Sequence, residues 1–297
     1  MTQPTAAHAA PLQNNAVAAP RRLPRQGLNL AGLATLFWLT FRQHARARKL
    51  LVLAFVFTLP AVVALLIRHF TPETRLPGLE FGLVFNVIPH VMVTLTALLY
   101  ATAMIQDEIE EQTLTYLLVR PLPKWGIYLT KLLATLLLVI LLAGFFTMLT
   151  EVVIYWGAPE WSEQLAAMRL LKTVGLITLT LTAYCALFGC MSLVVRYALF
   201  AGLLYSVVFE GILANVDFAV RKLTIMYYIR VLFERWLQPD WTKIVGNDYN
   251  PWGIKLSEAP SAGACLMTVL GASLALTLIA MAAFTHREFR VKTPEGS

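Results

Sequence analysis

A chain of 297 residues that is 58% hydrophobic and only 14% charged lacks the side chains to cover a water-facing surface; soluble domains run nearer to about 45–50% apolar and about 25% charged. A mean hydropathy of +0.66 points to several spans in a bilayer and excludes an ordinary soluble enzyme. The net charge of +7 is read by position, because basic residues beside membrane spans set orientation before they suggest partners. No long basic stretch stands clear of those flanks, so no nucleic-acid partner is expected.

Residues 1–27 are rich in Ala, Pro, Gln and Asn before Arg21, Arg22 and Arg25. They could bury no core and read as a disordered cytoplasmic tail, with too short an apolar stretch for a secretory signal. The rest, 28–297, reads as a single membrane domain. Over 28–49 the pattern is that of an amphipathic helix, with Leu30, Leu33, Phe37 and Phe41 near one face, Trp38 beside them, and Arg42, His44, Arg46, Arg48 and Lys49 at the end. It is either an interfacial helix lying in the headgroups or a basic flank that fixes the first span.

Six apolar segments follow, at 50–67, 81–106, 126–156, 170–195, 197–216 and 262–285. Each is long enough to cross a bilayer, which takes about 20 helical residues. Only Arg196 and Tyr197 part the fourth from the fifth, forcing a tight hairpin. The expected fold is therefore all-α and polytopic, with six transmembrane helices and both termini on one side. Basic residues crowd the short connections of that side, at 42–49, Arg120, Lys124, Lys131, Arg196, Arg287, Arg290 and Lys292, while the opposite short connections hold Arg68, Arg75, Arg169 and Lys172. The positive-inside rule makes both termini cytoplasmic and the stretch 217–261 an outer loop. The tryptophans agree: Trp38 and Trp125 fall at the inner boundary, and Trp156, Trp161, Trp236, Trp241 and Trp252 at or beyond the outer one.

Two spans carry stripes of small residues: Thr178, Thr182, Cys185, Gly189 and Ser192 in the fourth, and Ala264, Thr268, Gly271 and Ala275 in the sixth. Without a charge on either, close helix packing is the expected use rather than a polar path. The three cysteines lie in apolar runs with no CxxC pair, so neither a disulfide framework nor a zinc site is expected.

The most informative segment joins the second and third spans, 107–131. Asp107, Glu108, Glu110 and Glu111 open a short helix, where carboxylates favour the positive end of the dipole. Ile109, Leu114, Leu117 and Leu118 form an apolar strip, Arg120 and Pro121 end it, and Pro123 breaks the chain again. Lys124, Tyr128 and Lys131 share a face of the next helix, from which lysine can reach the headgroups. Such a helix is either a surface for a soluble partner or a loop resting on the membrane.

This run resembles the second-to-third connection of the ATP-binding-cassette type-2 permeases, or type V exporters. Glu108, Thr113, Leu114, Leu117, Leu118, Pro121, Lys124 and Lys131 occupy the places of that motif, with Gln112 where the family usually has glycine. The stretch 207–230, with its Glu210-Gly211 pair, is similar to the family's bent, partly re-entrant outer element. The resemblance implies that 107–121 is a coupling helix docking into a separate ATPase subunit. It also implies a second permease chain, as a homodimer or with a related paralogue, in a plasma (inner) membrane exporter. Every cofactor, ATP and magnesium, would then sit on the partner. The sequence agrees in holding no GxxxxGK[ST] loop.

Elsewhere the candidates for a translocation path are Asn86 and His90 in the second span, Glu151 in the third and Glu210 in the fifth. Ionisable groups at membrane depth suggest function. The plainer roles are packing for His90, where a metal or haem iron is the other use, and a structural hydrogen bond to helix ends for Glu210. A second function class stays open: a membrane-embedded enzyme acting on lipid, with the 107–111 acids holding a divalent cation. A third is a membrane anchor that binds a soluble partner without transport.

Overall fold

The computed structural model describes residues 30–71, 75–110, 122–158, 163–216, 219–246 and 250–286. They are helical, with no strand among them. Six helices are long and apolar enough to cross a membrane: Arg48–Phe70, Leu76–Ile109, Lys124–Tyr155, Ala167–Val194, Ala198–Asn215 and Ala262–His286, called here the first to sixth spans. They alternate in direction, so one end of the bundle holds the surface helix Leu30–Arg46 and the other holds the helix Ile225–Leu237. The 1–27 tail and the tail beyond His286 lie outside the described residues.

The fourth span is the centre. Two thirds of its most apolar stretch is buried (67%), against 22% in the fifth and sixth spans, and it packs on the second, third and sixth. Its small-residue stripe is what permits this: a Cβ placed on Gly189 would lie 2.8 Å from the Tyr128 hydroxyl and 3.2 Å from Met104. Gly202 does the same for the fifth span, where an added Cβ would meet Leu98 at 2.3 Å. The stripe of the sixth span behaves otherwise. Ala264, Thr268, Gly271 and Ala275 are all exposed, and the face buried inside the chain carries Cys265, Val269, Ser273, Ala280 and Phe284. Spacing alone could not tell a stripe that packs within the chain from one turned outward.

The surface helix also departs from the sequence expectation. Leu36 and Thr40 are its buried residues, and with Leu33 and His44 they form the face laid on the third span. Leu30, Trp38 and Leu39 are exposed. The helix is thus apolar on two sides, one towards protein and one outward, rather than on a single lipid-facing stripe.

Two spans are wound more loosely than an α-helix. The second is π-helical over Phe81–Val93 and the fifth over Ser206–Ile212. In the second span Asn86 donates to the Phe81 carbonyl at 3.2 Å and the Thr94 hydroxyl to the Pro89 carbonyl at 3.1 Å, both five residues back. Pro89 has no N–H to give the ladder, so a wider turn with side-chain donors absorbs the defect. Wide turns of this kind often mark functional positions.

Candidate functional site

At the surface-helix end, Asp107 and Glu108 continue the helix Thr94–Glu110 of the second span. This corrects the expectation that they open a new helix. Each is met by a lysine from another span. Lys49 donates to Asp107 at 2.9 Å, with both side chains about half exposed. Lys131 donates to Glu108 and, at 3.1 Å, to the Met104 carbonyl. Lys131 is only 3% exposed, so it turns into the bundle instead of reaching the headgroups. The side chain of Glu110 and the expected coupling residues Glu111, Thr113, Leu114, Leu117, Leu118, Arg120 and Pro121 lie outside the described residues.

The same junction takes in the surface helix. The His44 ring pairs with the Thr135 hydroxyl at 3.1 Å, a group fully buried in the third span. Burial, helped by the nearby Lys131, pushes His44 down to about 4, so it is neutral at physiological pH. Gln106 reaches the Arg196 carbonyl in the hairpin at 3.4 Å, and Lys124 reaches the Thr285 carbonyl at the end of the sixth span, also at 3.4 Å. The base of the 107–121 segment is therefore tied to every neighbouring element at this end.

The opposite end is built on Arg230, counted in the sequence only as one cation of a long loop. The helix Ile225–Leu237 is buried along most of its length and packs on the fourth and sixth spans. Its side chain at 230 is 5% exposed, and none of its hydrogen bonds among the described residues goes to a carboxylate. The guanidinium donates to the Ala214 carbonyl at 3.0 Å, to Asn215 Oδ1 at 2.8 Å and to His90 Nε2 at 2.6 Å, and lies 5.3 Å from the Trp252 ring centre. Because Nε2 faces a donor it must accept, which places the ring proton on Nδ1, 3.0 Å from the Asn86 carbonyl. Burial lowers Arg230 to about 10, still charged at neutral pH. Its Nε is buried without a partner among the described residues, and Arg230 lines a cavity of about 20 Å³, room for a single water.

Glu210 holds the start of that helix. It is 2% exposed and accepts from the Ile225 and Met226 N–H groups, both at 3.2 Å, and from the Tyr205 hydroxyl at 3.1 Å. A carboxylate on unsatisfied N–H groups at a helix N-terminus is favoured both by hydrogen bonding and by the dipole. Asn86 accepts the Trp252 indole N–H at 3.2 Å. Phe81, Phe85, Phe233, Trp241 and Trp252 then pack ring on ring, the closest pair at 4.2 Å. Three of the four path candidates thus belong to one buried network.

Glu151 belongs to a second cluster at the same end. Arg169 grips Glu80 with two bonds, 2.8 Å and 2.5 Å, and the Tyr155 hydroxyl completes the Glu80 partners. Glu151 is 4% exposed, and its Oε1 has no hydrogen-bond partner among the described residues. Glu151 and Glu210 are both enclosed.

A membrane helix bundle with paired charges at both ends is a scaffold many transporters share. What decides the family is a match of residues 42–216 to the model described as ABC-2 family transporter protein. The chain belongs to that family. It is a multi-pass membrane permease of an ABC transporter, and the family implies assembly with an ABC ATPase subunit. The match takes in both halves of the surface-end junction and ends just before the segment that carries Arg230. No curated protein matches the chain.

The sequence carried a signal for Arg230 that counting by loop concealed. Met226, Ile229, Arg230 and Phe233 recur at helical spacing, which places one cation inside an otherwise apolar face.

Proposed function

We propose that the chain is the permease of an exporter in the plasma (inner) membrane, with both termini cytoplasmic, and that segment 107–121 docks a separate ATPase. The observation that carries this reading is the anchoring of the base of that segment. Lys131–Glu108 and Lys49–Asp107 fasten it to the third and first spans, and His44–Thr135 fastens the surface helix to the third. A push on 107–121 would then move several spans together. Orientation rests on the basic connections of the surface-helix end.

A second permease chain, identical or paralogous, completes the path. The first, fifth and sixth spans are the least buried, at 28%, 22% and 22%, and the outward small-residue stripe of the sixth offers close approach. At the far end Arg230 holds His90, which holds Asn86, while Glu210 holds the start of the helix that carries Arg230; we read this arrangement as the closed outer gate. Glu151, with an oxygen still unsatisfied, is the path candidate the geometry leaves available. The engagement of Asp107 and Glu108 by lysines supports the transporter reading over a lipid enzyme that holds a cation there.

The test is affinity purification of the tagged chain from native membranes in mild detergent. A Walker-loop ATPase recovered near one to one, and lost with Leu117→Asp at unchanged permease yield, is the expected result. Retention of the ATPase by that variant removes 107–121 as the docking segment.

A further inference from the structure

At the far end a stretch of chain, 250–260, is strapped to the helix Ile225–Leu237. It begins as a turn built by its own residues. The Gly253 N–H donates to the Asn250 carbonyl at 2.9 Å, Gly253 takes a φ of 60° that favours glycine, and Asn250 Oδ1 accepts the Trp252 N–H at 2.8 Å. The turn presents the Trp252 indole, which donates to Asn86 of the second span at 3.2 Å and packs on the rings of Phe81 and Phe233. Arg235 ties the other end of the strap, donating to the carbonyls of Pro260 at 2.8 Å, Ala259 at 2.9 Å and Leu256 at 3.2 Å. Arg221 donates to the Gly253 carbonyl at 3.3 Å. The last tie is of another kind: the Asn250 amide donates to the carboxyl group of Glu234, which is only 4% exposed.

A carboxylate enclosed in this way is costly unless a cation meets it, and the described charges around Glu234 are directed elsewhere. On its own helix Arg230 serves Ala214, Asn215 and His90, while Arg235 serves the strap. From the fourth span Lys172 donates to the Trp236 carbonyl at 2.9 Å and Arg169 grips Glu80. The sixth span carries no charged residue before His286, and Glu210 of the fifth caps the opposite end of the helix. Nearby, Arg75 reaches the Thr242 carbonyl, Asp240 pairs with Lys243, Lys255 pairs with Glu258, and Lys222 is exposed. Beside the carboxyl group stand Asn250 and the Trp241 indole, both neutral. Burial accordingly raises Glu234 to about 7. Freed from the strap and hydrated, it would titrate near its ordinary 4.5. The strapped form holds the proton more tightly, so losing that proton favours release.

We propose that the strap 250–260 is a pH-sensitive latch: protonated Glu234 keeps Asn250, and through it Trp252, seated against the second span, and loss of the proton unseats them. Arg235 keeps its charge throughout, so 256–260 stays attached and the turn at 250–253 is the part that lifts. The latch needs only the contacts of this end and holds for either orientation. Its role, regulating the outer gate, rests on the reading given above.

The full chain, labelled with 5-fluorotryptophan and held in lipid nanodiscs, is followed by fluorine NMR over a pH series centred on 7, with Trp252→Phe assigning the resonance. The expected result is a Trp252 signal that passes from a packed to a mobile, hydrated environment as pH rises, with its midpoint near 7. Glu234→Gln keeps an acceptor for Asn250 and cannot ionise. It should hold the low-pH signal throughout, shifting the latch equilibrium at high pH by on the order of a hundredfold. Asn250→Ala should show the high-pH signal throughout. A parent signal that stays constant across the series, or a Glu234→Gln signal that titrates as the parent does, overturns the proposal. An Asn250→Ala chain that keeps the low-pH signal overturns it too. Neither ATPase nor transport enters these readouts, so failure of the latch and failure of the gate reading are separable.

Discussion

The two ends of the bundle solve the same problem, charge beside a membrane, in opposite ways. At the surface-helix end the charges meet in simple pairs, one of them half exposed, around a cavity of about 300 Å³. At the far end Glu80, Glu210 and Arg230 are enclosed, each making three hydrogen bonds, and the cavity beside Arg230 is only about 20 Å³. Single pairs can break and reform at modest cost, whereas a multiply bonded buried group moves only with its whole surroundings. The difference suits an end that receives a stroke and an end that stays shut until the stroke arrives.

The largest effect should come from dismantling the closed end. Arg230→Leu strips donors from the Ala214 carbonyl, His90 and Asn215, at roughly 1–3 kcal/mol for each acceptor left unpaired. Thermal unfolding in detergent should show a destabilised chain, and Arg230→Lys should recover only part, since one ammonium cannot reach all three. A variant as stable as the parent would show that the network is not what fixes the helix Ile225–Leu237.

Next comes Lys131→Met, which takes the lysine from Glu108 in a largely buried place and should cost roughly 3 kcal/mol. The double variant Lys131→Met/Glu108→Gln should restore most of that stability. Its coupling should stay impaired, read as ATPase turnover no longer matched by transport. Restored coupling would argue that the pair serves folding alone.

The ends should also answer pH with opposite sign. Burial raises Glu234 to about 7 from an ordinary 4.5, so the folded chain keeps a proton the unfolded chain has released. Stability from this group is greatest below pH 4.5 and declines as pH rises to about 7. His44, lowered to about 4, contributes stability present above pH 6.5 and lost as pH falls towards 4. Melting temperatures of Glu234→Gln and His44→Gln across that range should depart from the parent in opposite directions; parallel curves would discard the assignment. The smallest effect belongs to Lys49→Ala, because an exposed pair contributes about 0–1 kcal/mol, and raised salt should erase even that.

Much of the architecture was legible because the bilayer imposes it: a span must be long and apolar, so all six emerge from hydropathy with ends close to those observed. The Glu210-Gly211 pair, through its resemblance to the family's bent outer element, pointed towards the irregular stretch Ser206–Ile212. What stayed hidden depends on partners distant in sequence. Nothing near Lys131 announces that it turns inward to Glu108. Glu80 and Arg169, 89 residues apart, looked like two unrelated flank charges. The helix at Asp107 was misread because an acidic run looks like a beginning, whereas 107–110 continue the second span, with Asp107 and Glu108 each paired to a lysine of another span.

The most direct test of the division between the ends is site-specific photocrosslinking in native membranes. A photoreactive benzoylphenylalanine is placed at Leu117 in one chain and at Trp156, which is 73% exposed at the far end, in another. The expected result is a crosslink from position 117 to a Walker-loop ATPase and none from position 156. A crosslink to that ATPase from position 156, or its absence at 117 while the ATPase still co-purifies, would contradict both the orientation and the coupling role of 107–121.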